Sequence, residues 1–214
     1  MVPERYPGYD VLAKRDGLSW NDPTRRVVAE RLAVKDEPVF FAHEEFLTLR
    51  ALCDRILPQP VGRERLPLAA YVDRKLLAVG DAGTRYPPMP ADGAAWKIAL
   101  KALDAEARSA HDLPFHGLLP ADADTLLARV QQGDAHDPEW GEVPPKLFFA
   151  KRILADIPAA YYAHPAAWSE IGFGGPASPR GYVRMQADRH DPWEAAEAKP
   201  GAADKAREKN RHVR

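Results

Sequence analysis

A proline falls in this chain about once every ten residues, 21 among 214, and that spacing keeps every regular element short. The usual frequency is about 5%. Proline lacks a backbone N–H and its ring clashes with the carbonyl four residues earlier, so it ends helices and is barred from central strands. What lies between the prolines favours helix. Ala and Leu number 36 and 20, against 22 for Val, Ile and Thr together, and the first pair are good helix formers while the β-branched residues suit strands. The sequence therefore predicts an all-α domain of about six or seven short helices, closed by a Gly/Pro-rich C-terminal loop. A sandwich, a barrel or a long coiled coil is excluded.

Punctuation and periodicity place the helices. Asp22 can cap a first helix with Pro23 at its first position, reaching Val34. Phe46, Leu49, Cys53, Ile56 and Leu57 share one face of a second helix, which lacks a good cap because Ala42 and His43 stand at its start. Pro58 stops it. Pro67 opens a third helix, with Leu68, Val72, Leu76 and Val79 on one side, Asp73, Arg74 and Lys75 on the other, and Gly80 as its C-cap. A fourth runs from Ala94 to Ala110 with Trp96, Leu100 and Leu103 inward, and a fifth from Ala121 to Gln132. Pro144-Pro145 launches a sixth, which Pro158 breaks or kinks. A last short helix covers Pro165 to Ile171. By this reading residues 1–36 are an extension with one short helix, 37–185 a helical domain, and 186–214 a charged, disordered tail.

The chemistry is sparse. A single cysteine, Cys53, precludes an internal disulfide, a thiolate-held iron–sulfur cluster and a Cys-x-x-Cys-His haem site. Its place on the apolar face of the second helix reads as a small buried hydrophobe, with an intermolecular disulfide as the alternative. The seven histidines show no metal-ligand spacing, and His111 and His116 flank Pro114 rather than share a helix face. Carboxylates such as Asp104, four residues before Arg108, read as solvated helix charges. No Gly-x-Ser-x-Gly elbow is present. A formal charge of −1 gives no general attraction to nucleic acid. From Lys199 to Arg214 six basic residues face two acidic ones, but without interleaved aromatics this tail offers at most weak, salt-sensitive binding. No apolar run approaches the ~20 residues of a membrane span.

One segment is unlike the rest. Tyr161, Tyr162, Trp168, Phe173 and Tyr182 flank Gly172-Phe173-Gly174-Gly175-Pro176, followed by Pro179, Arg180 and Gly181. Prolines remove donors where a phosphate cradle would need them. Two readings stay open. The segment wraps over its own helices as core, or it is a binding surface, since Tyr, Trp and Arg dominate interface hot spots and a stiff loop loses little entropy on docking. The candidate partner-binding residues are Tyr161, Tyr162, Trp168, Phe173, Gly174, Gly175, Pro176, Pro179, Arg180 and Tyr182.

The run from Tyr161 to Tyr182 resembles the closing motif of the gluconate 2-dehydrogenase subunit 3 family. Phe46 to Pro58, with Leu49, Leu52-Cys53-Asp54-Arg55-Ile56-Leu57-Pro58, resembles its early helix, and the likeness spans residues 39–185. The resemblance implies a small, helical, non-catalytic subunit that helps a large flavin-dependent (GMC-type) sugar or alcohol dehydrogenase mature, stay soluble or be exported. The resemblance further implies that this subunit carries no cofactor, that FAD resides in the large subunit, and that electrons pass from there to a cytochrome c subunit. Many members carry a twin-arginine export signal. Arg25-Arg26 here leads instead into the charged helix Val27-Val28-Ala29-Glu30-Arg31, so the expected location is cytoplasmic, or periplasmic if a partner carries the chain. The alternatives to an accessory subunit are a helical enzyme with an unrecognised site and a weak nucleic-acid binder.

Overall fold

A computed structural model of the chain describes residues 4–59, 61–62, 64–79, 86–176, 178, 181, 191 and 193–213. Its elements are α-helices joined by short 3-10 turns, and among the described residues there is no strand. The chain groups into two compact units, a middle unit Lys35–Tyr161 and a terminal unit made of Met1–Val34 and Tyr162–Arg214. The sequence-derived boundaries after residues 36 and 185 thus give way to boundaries after residues 34 and 161. The physical reason is that both ends of the chain bury apolar side chains in one common core.

In the middle unit, helix α2 (His43–Ile56) buries Phe46, Leu49, Leu52 and Cys53. It packs against α3 (Leu68–Val79), α4 (Asp92–His111), α5 (Pro120–Gln132) and the 3-10 turn Phe115–Gly117. The poor start of α2 is repaired from within, because the Glu45 carboxylate accepts the Ala42 N–H at 2.9 Å. Trp96 and Phe148, both fully buried, meet edge to face at 5.0 Å between ring centres. Helix α4 ends with Asp112 in the left-handed region at φ 58°, and α5 ends at Gly133 with φ 90°. Gly80, the expected cap of α3, lies outside the described residues.

The sixth helix forms in two pieces. α6 (Pro145–Phe148) passes through a wider π-type turn, Phe149–Ile153, into α7 (Leu154–Ala163), which runs through Pro158 without a break. The interruption therefore precedes the proline. At Leu154 ψ is −14°, well away from the helical −42°, which turns its carbonyl aside where the Pro158 ring would otherwise collide with it.

Acidic side chains that the sequence assigns to solvent are the joints of this unit. Asp73 is fully buried and accepts the N–H groups of Val39, Phe40 and Phe41 at 2.7, 3.0 and 2.8 Å. Asp104 accepts Thr48 Oγ1 at 2.8 Å and the Phe115 N–H at 2.9 Å, so it is no simple partner of Arg108. Glu106 accepts the His136 and Asp137 N–H groups at 2.7 and 2.9 Å. Asp156 takes the Trp96 indole N–H at 2.9 Å and Lys75 Nζ at 2.6 Å, and Arg152 pairs with Asp92. Asp73, Asp92, Glu106 and Asp156 leave water only because donors on neighbouring elements replace it, and the half-buried Asp104 is held in the same way.

The terminal unit holds α1 (Asp22–Leu32), α8 (Pro165–Trp168) and α9 (Ala203–Asn210). Asn21, rather than Asp22, caps α1, its side-chain oxygen accepting the Thr24 N–H at 3.0 Å. Tyr9, Val11, Trp20, Val28, Trp168, Ala195 and Val213 form the core, with Tyr6, Leu12 and Leu32 packed on it. The expected disordered tail is corrected here. Residues 193–213 carry α9 and bury Ala206, Asn210 and Val213. No apolar stripe announces this helix, because it is held by polar contacts. The Asn210 side chain donates to the carbonyls of Pro7 and Ala196, both at 3.0 Å, and accepts the Ala196 N–H at 2.7 Å. Ala198 N–H donates to Arg5 at 2.8 Å.

Candidate functional site

The segment after α7 is organised around Trp168. Pro165 sits at the first position of α8 and His164 Nδ1 accepts the Ala166 N–H at 3.2 Å, so the sequence His-Pro starts the helix. A 3-10 turn, Ser169–Ile171, follows and ends at Gly172 with φ 67°. The Phe173 N–H then donates back to the Trp168 carbonyl at 3.0 Å. Trp168 is buried, donates its indole N–H to the Tyr162 carbonyl at 2.7 Å, and meets the Phe173 ring edge to face at 5.4 Å.

The glycines of this loop have partners in the N-terminal arm. A side chain at Gly172 would stand 2.5 Å from the Tyr6 ring, and one at Gly175 would stand 2.8 Å from the Trp20 ring. Both positions also have positive φ, 67° and 73°, so only glycine meets the backbone and the packing demands together. Between them the loop carbonyls point into the arm. Tyr9 Oη donates to the Phe173 carbonyl at 3.1 Å, and Lys14 Nζ donates to Gly174 at 3.2 Å and to Trp193 at 2.7 Å. Lys14 is fully buried, its ammonium 5.5 Å from the centre of the Tyr9 ring. The Val11 N–H donates to Ser169 Oγ at 3.1 Å.

The ten candidate partner-binding residues therefore separate. Trp168 is core, a correction to its expected place on a surface, and Tyr161 is likewise buried within the middle unit. Gly175 is buried and Gly174 and Pro176 are half-buried. Tyr162, Ile171 and Phe173 are exposed at 46%, 44% and 39%. Pro179, Arg180 and Tyr182 lie outside the described residues. The loop's backbone and Trp168 are core, while Phe173 and Tyr162 face solvent. Sequence reasoning missed Lys14, which looks like any surface lysine. The aromatics Tyr6, Tyr9 and Trp20 were the available signal that something packs on this arm.

The middle unit has two clefts near the end of α2. One of about 340 Å³ is lined by Arg55, Arg65, His116 and Leu118 among others. Its arginines are committed, Arg55 to Asp124 through two contacts of 2.7 and 2.5 Å and Arg65 to Asp54. The Arg55 guanidinium holds the Asp124 carboxyl below its ordinary value. The neighbouring cleft, about 310 Å³, reaches Cys53. Burial pushes the Cys53 thiol up, with Asp54 and Asp36 adding to the effect, so it stays protonated and is a poor nucleophile at neutral pH. Cys53→Ala should lower stability by about 1 kcal/mol or somewhat more, measured by denaturant unfolding, and the native thiol should react with a thiol reagent only on unfolding. Among the described residues no three His, Cys, Asp or Glu side chains converge as metal ligands, and no helix is long and apolar enough to cross a membrane.

The helices α2 to α8 and the loop that follows them fall within residues 43–175, and that region matches the gluconate 2-dehydrogenase subunit 3 family. The chain belongs to this family. The early helix and the Gly172–Gly175 turn, which carried the resemblance in the sequence, are both inside the matched region. No curated protein and no solved structure matches the chain. The family name is that of one subunit of a gluconate 2-dehydrogenase. The N-terminal arm lies outside the match, yet it packs on the closing loop through Tyr6, Tyr9, Lys14 and Trp20.

Proposed function

We propose that this chain is a non-catalytic accessory subunit that binds and stabilises the flavin-bearing large subunit of a gluconate 2-dehydrogenase or a related sugar or alcohol dehydrogenase. In this reading FAD, and the cytochrome c that receives its electrons, belong to the other subunits. The observation that carries it is the family membership of residues 43–175. Phe173 supplies the docking surface. Its backbone is fixed by Trp168 and by the N-terminal arm, while the residue stays 39% exposed. Apolar rings held in one conformation lose little entropy on burial, which suits them to anchor an interface.

The test is affinity measurement with the large subunit. Phe173→Ala removes an exposed ring, so the helical circular dichroism and the melting temperature should stay near wild type. Binding should weaken by about 2 kcal/mol, roughly thirtyfold. Normal binding by this variant removes the loop from the interface. Unfolding of the variant assigns the ring to the core instead.

A further inference from the structure

We propose that the N-terminal arm, residues 5–20, sets the geometry of the docking loop, with Lys14 as its positioning residue, so that affinity for the large subunit is governed from outside the matched family region. The inference rests on the docking reading above and names the element that controls that surface.

Four contacts converge on the loop backbone. Tyr6 and Trp20 occupy the spaces that side chains at Gly172 and Gly175 would take, while Tyr9 Oη and Lys14 Nζ hold the consecutive carbonyls of Phe173 and Gly174. With both carbonyls turned inward, and glycine on either side in the left-handed region, the Phe173 ring is left facing out. Lys14 also holds the Trp193 carbonyl, so one ammonium ties the arm, the loop and the C-terminal segment together. A space-filling role would be met by an apolar residue at less cost, because a buried ammonium persists only where carbonyls replace its water. The charge is therefore there for the hydrogen bonds it makes.

Lys14→Met keeps the length and burial of the stem and removes its donors. Tyr9→Phe removes one hydroxyl without a change of shape, and decides the matter if Lys14→Met fails to fold. Amide hydrogen exchange over residues 172–175 should become about tenfold faster or more in Lys14→Met and less so in Tyr9→Phe. Exchange in α2 to α5 should be unchanged. Affinity for the purified large subunit should fall about tenfold in Lys14→Met. Unchanged loop exchange in both variants overturns the positioning role. Faster exchange with undiminished affinity, when Phe173→Ala does weaken binding, shows that the loop docks without help from the arm and also overturns it. If Phe173→Ala and Lys14→Met both bind normally, the docking reading itself fails and the control of affinity fails with it.

Discussion

Asp73→Ala should lower the stability of the middle unit by about 3–5 kcal/mol, enough to move its melting temperature down by roughly 10–20 °C. Asp73 is fully buried and is the acceptor for three consecutive backbone N–H groups, those of Val39, Phe40 and Phe41. These residues lead into α2, and their donors face the protein rather than water. Alanine leaves the three donors without an acceptor and opens a small void. The cost per abandoned buried donor is about 1–3 kcal/mol. Asp73→Asn keeps one carbonyl oxygen in place and should lose about half as much. Thermal unfolding followed by circular dichroism measures both. A loss below about 1 kcal/mol for the alanine variant would mean that water or a shifted segment satisfies residues 39–41.

Trp168→Ala should have a comparable effect on the terminal unit. The indole is buried, bonds the Tyr162 carbonyl and supports the Phe173 ring. Truncating a buried Trp to Ala costs about 3–5 kcal/mol. Most of the helical signal should survive, because α2 to α6 lie in the middle unit. Hydrogen exchange should instead rise across residues 4–34 and 193–213. Trp168→Phe should recover part of the loss, lacking only the indole donor and part of the ring area. Uniform loosening of both units by Trp168→Ala would contradict this division of the stability.

How far the fold is legible in the sequence depends on what signals each element. Helices α2 to α5 are read to within a few residues, because their apolar spacing and their proline and glycine boundaries agree. The failures share one cause. Asp73, Asp104 and Lys14 are charged residues whose burial depends on donors or acceptors far along the chain. Asp73 and Phe41 are 32 residues apart, and Lys14 and Gly174 are 160 apart. A pattern confined to neighbours cannot register such pairs. The α9 segment fails for the same reason, since Asn210 reaches Pro7 across 203 residues and its helix needs no apolar face. At the loop, glycine and aromatic content marked an unusual backbone. Which rings turn inward depends on Tyr6, Tyr9 and Trp20, and that pairing is visible only in the fold.

The most direct measurement is size-exclusion chromatography of the tagged chain co-expressed with the large subunit of a gluconate 2-dehydrogenase, read at the flavin absorbance. An accessory subunit should elute with the large subunit in a fixed ratio and in a peak that carries the flavin spectrum. The chain expressed alone should not reduce an artificial electron acceptor in the presence of gluconate. Separate elution of the two chains, or turnover by the isolated chain, would contradict the assignment.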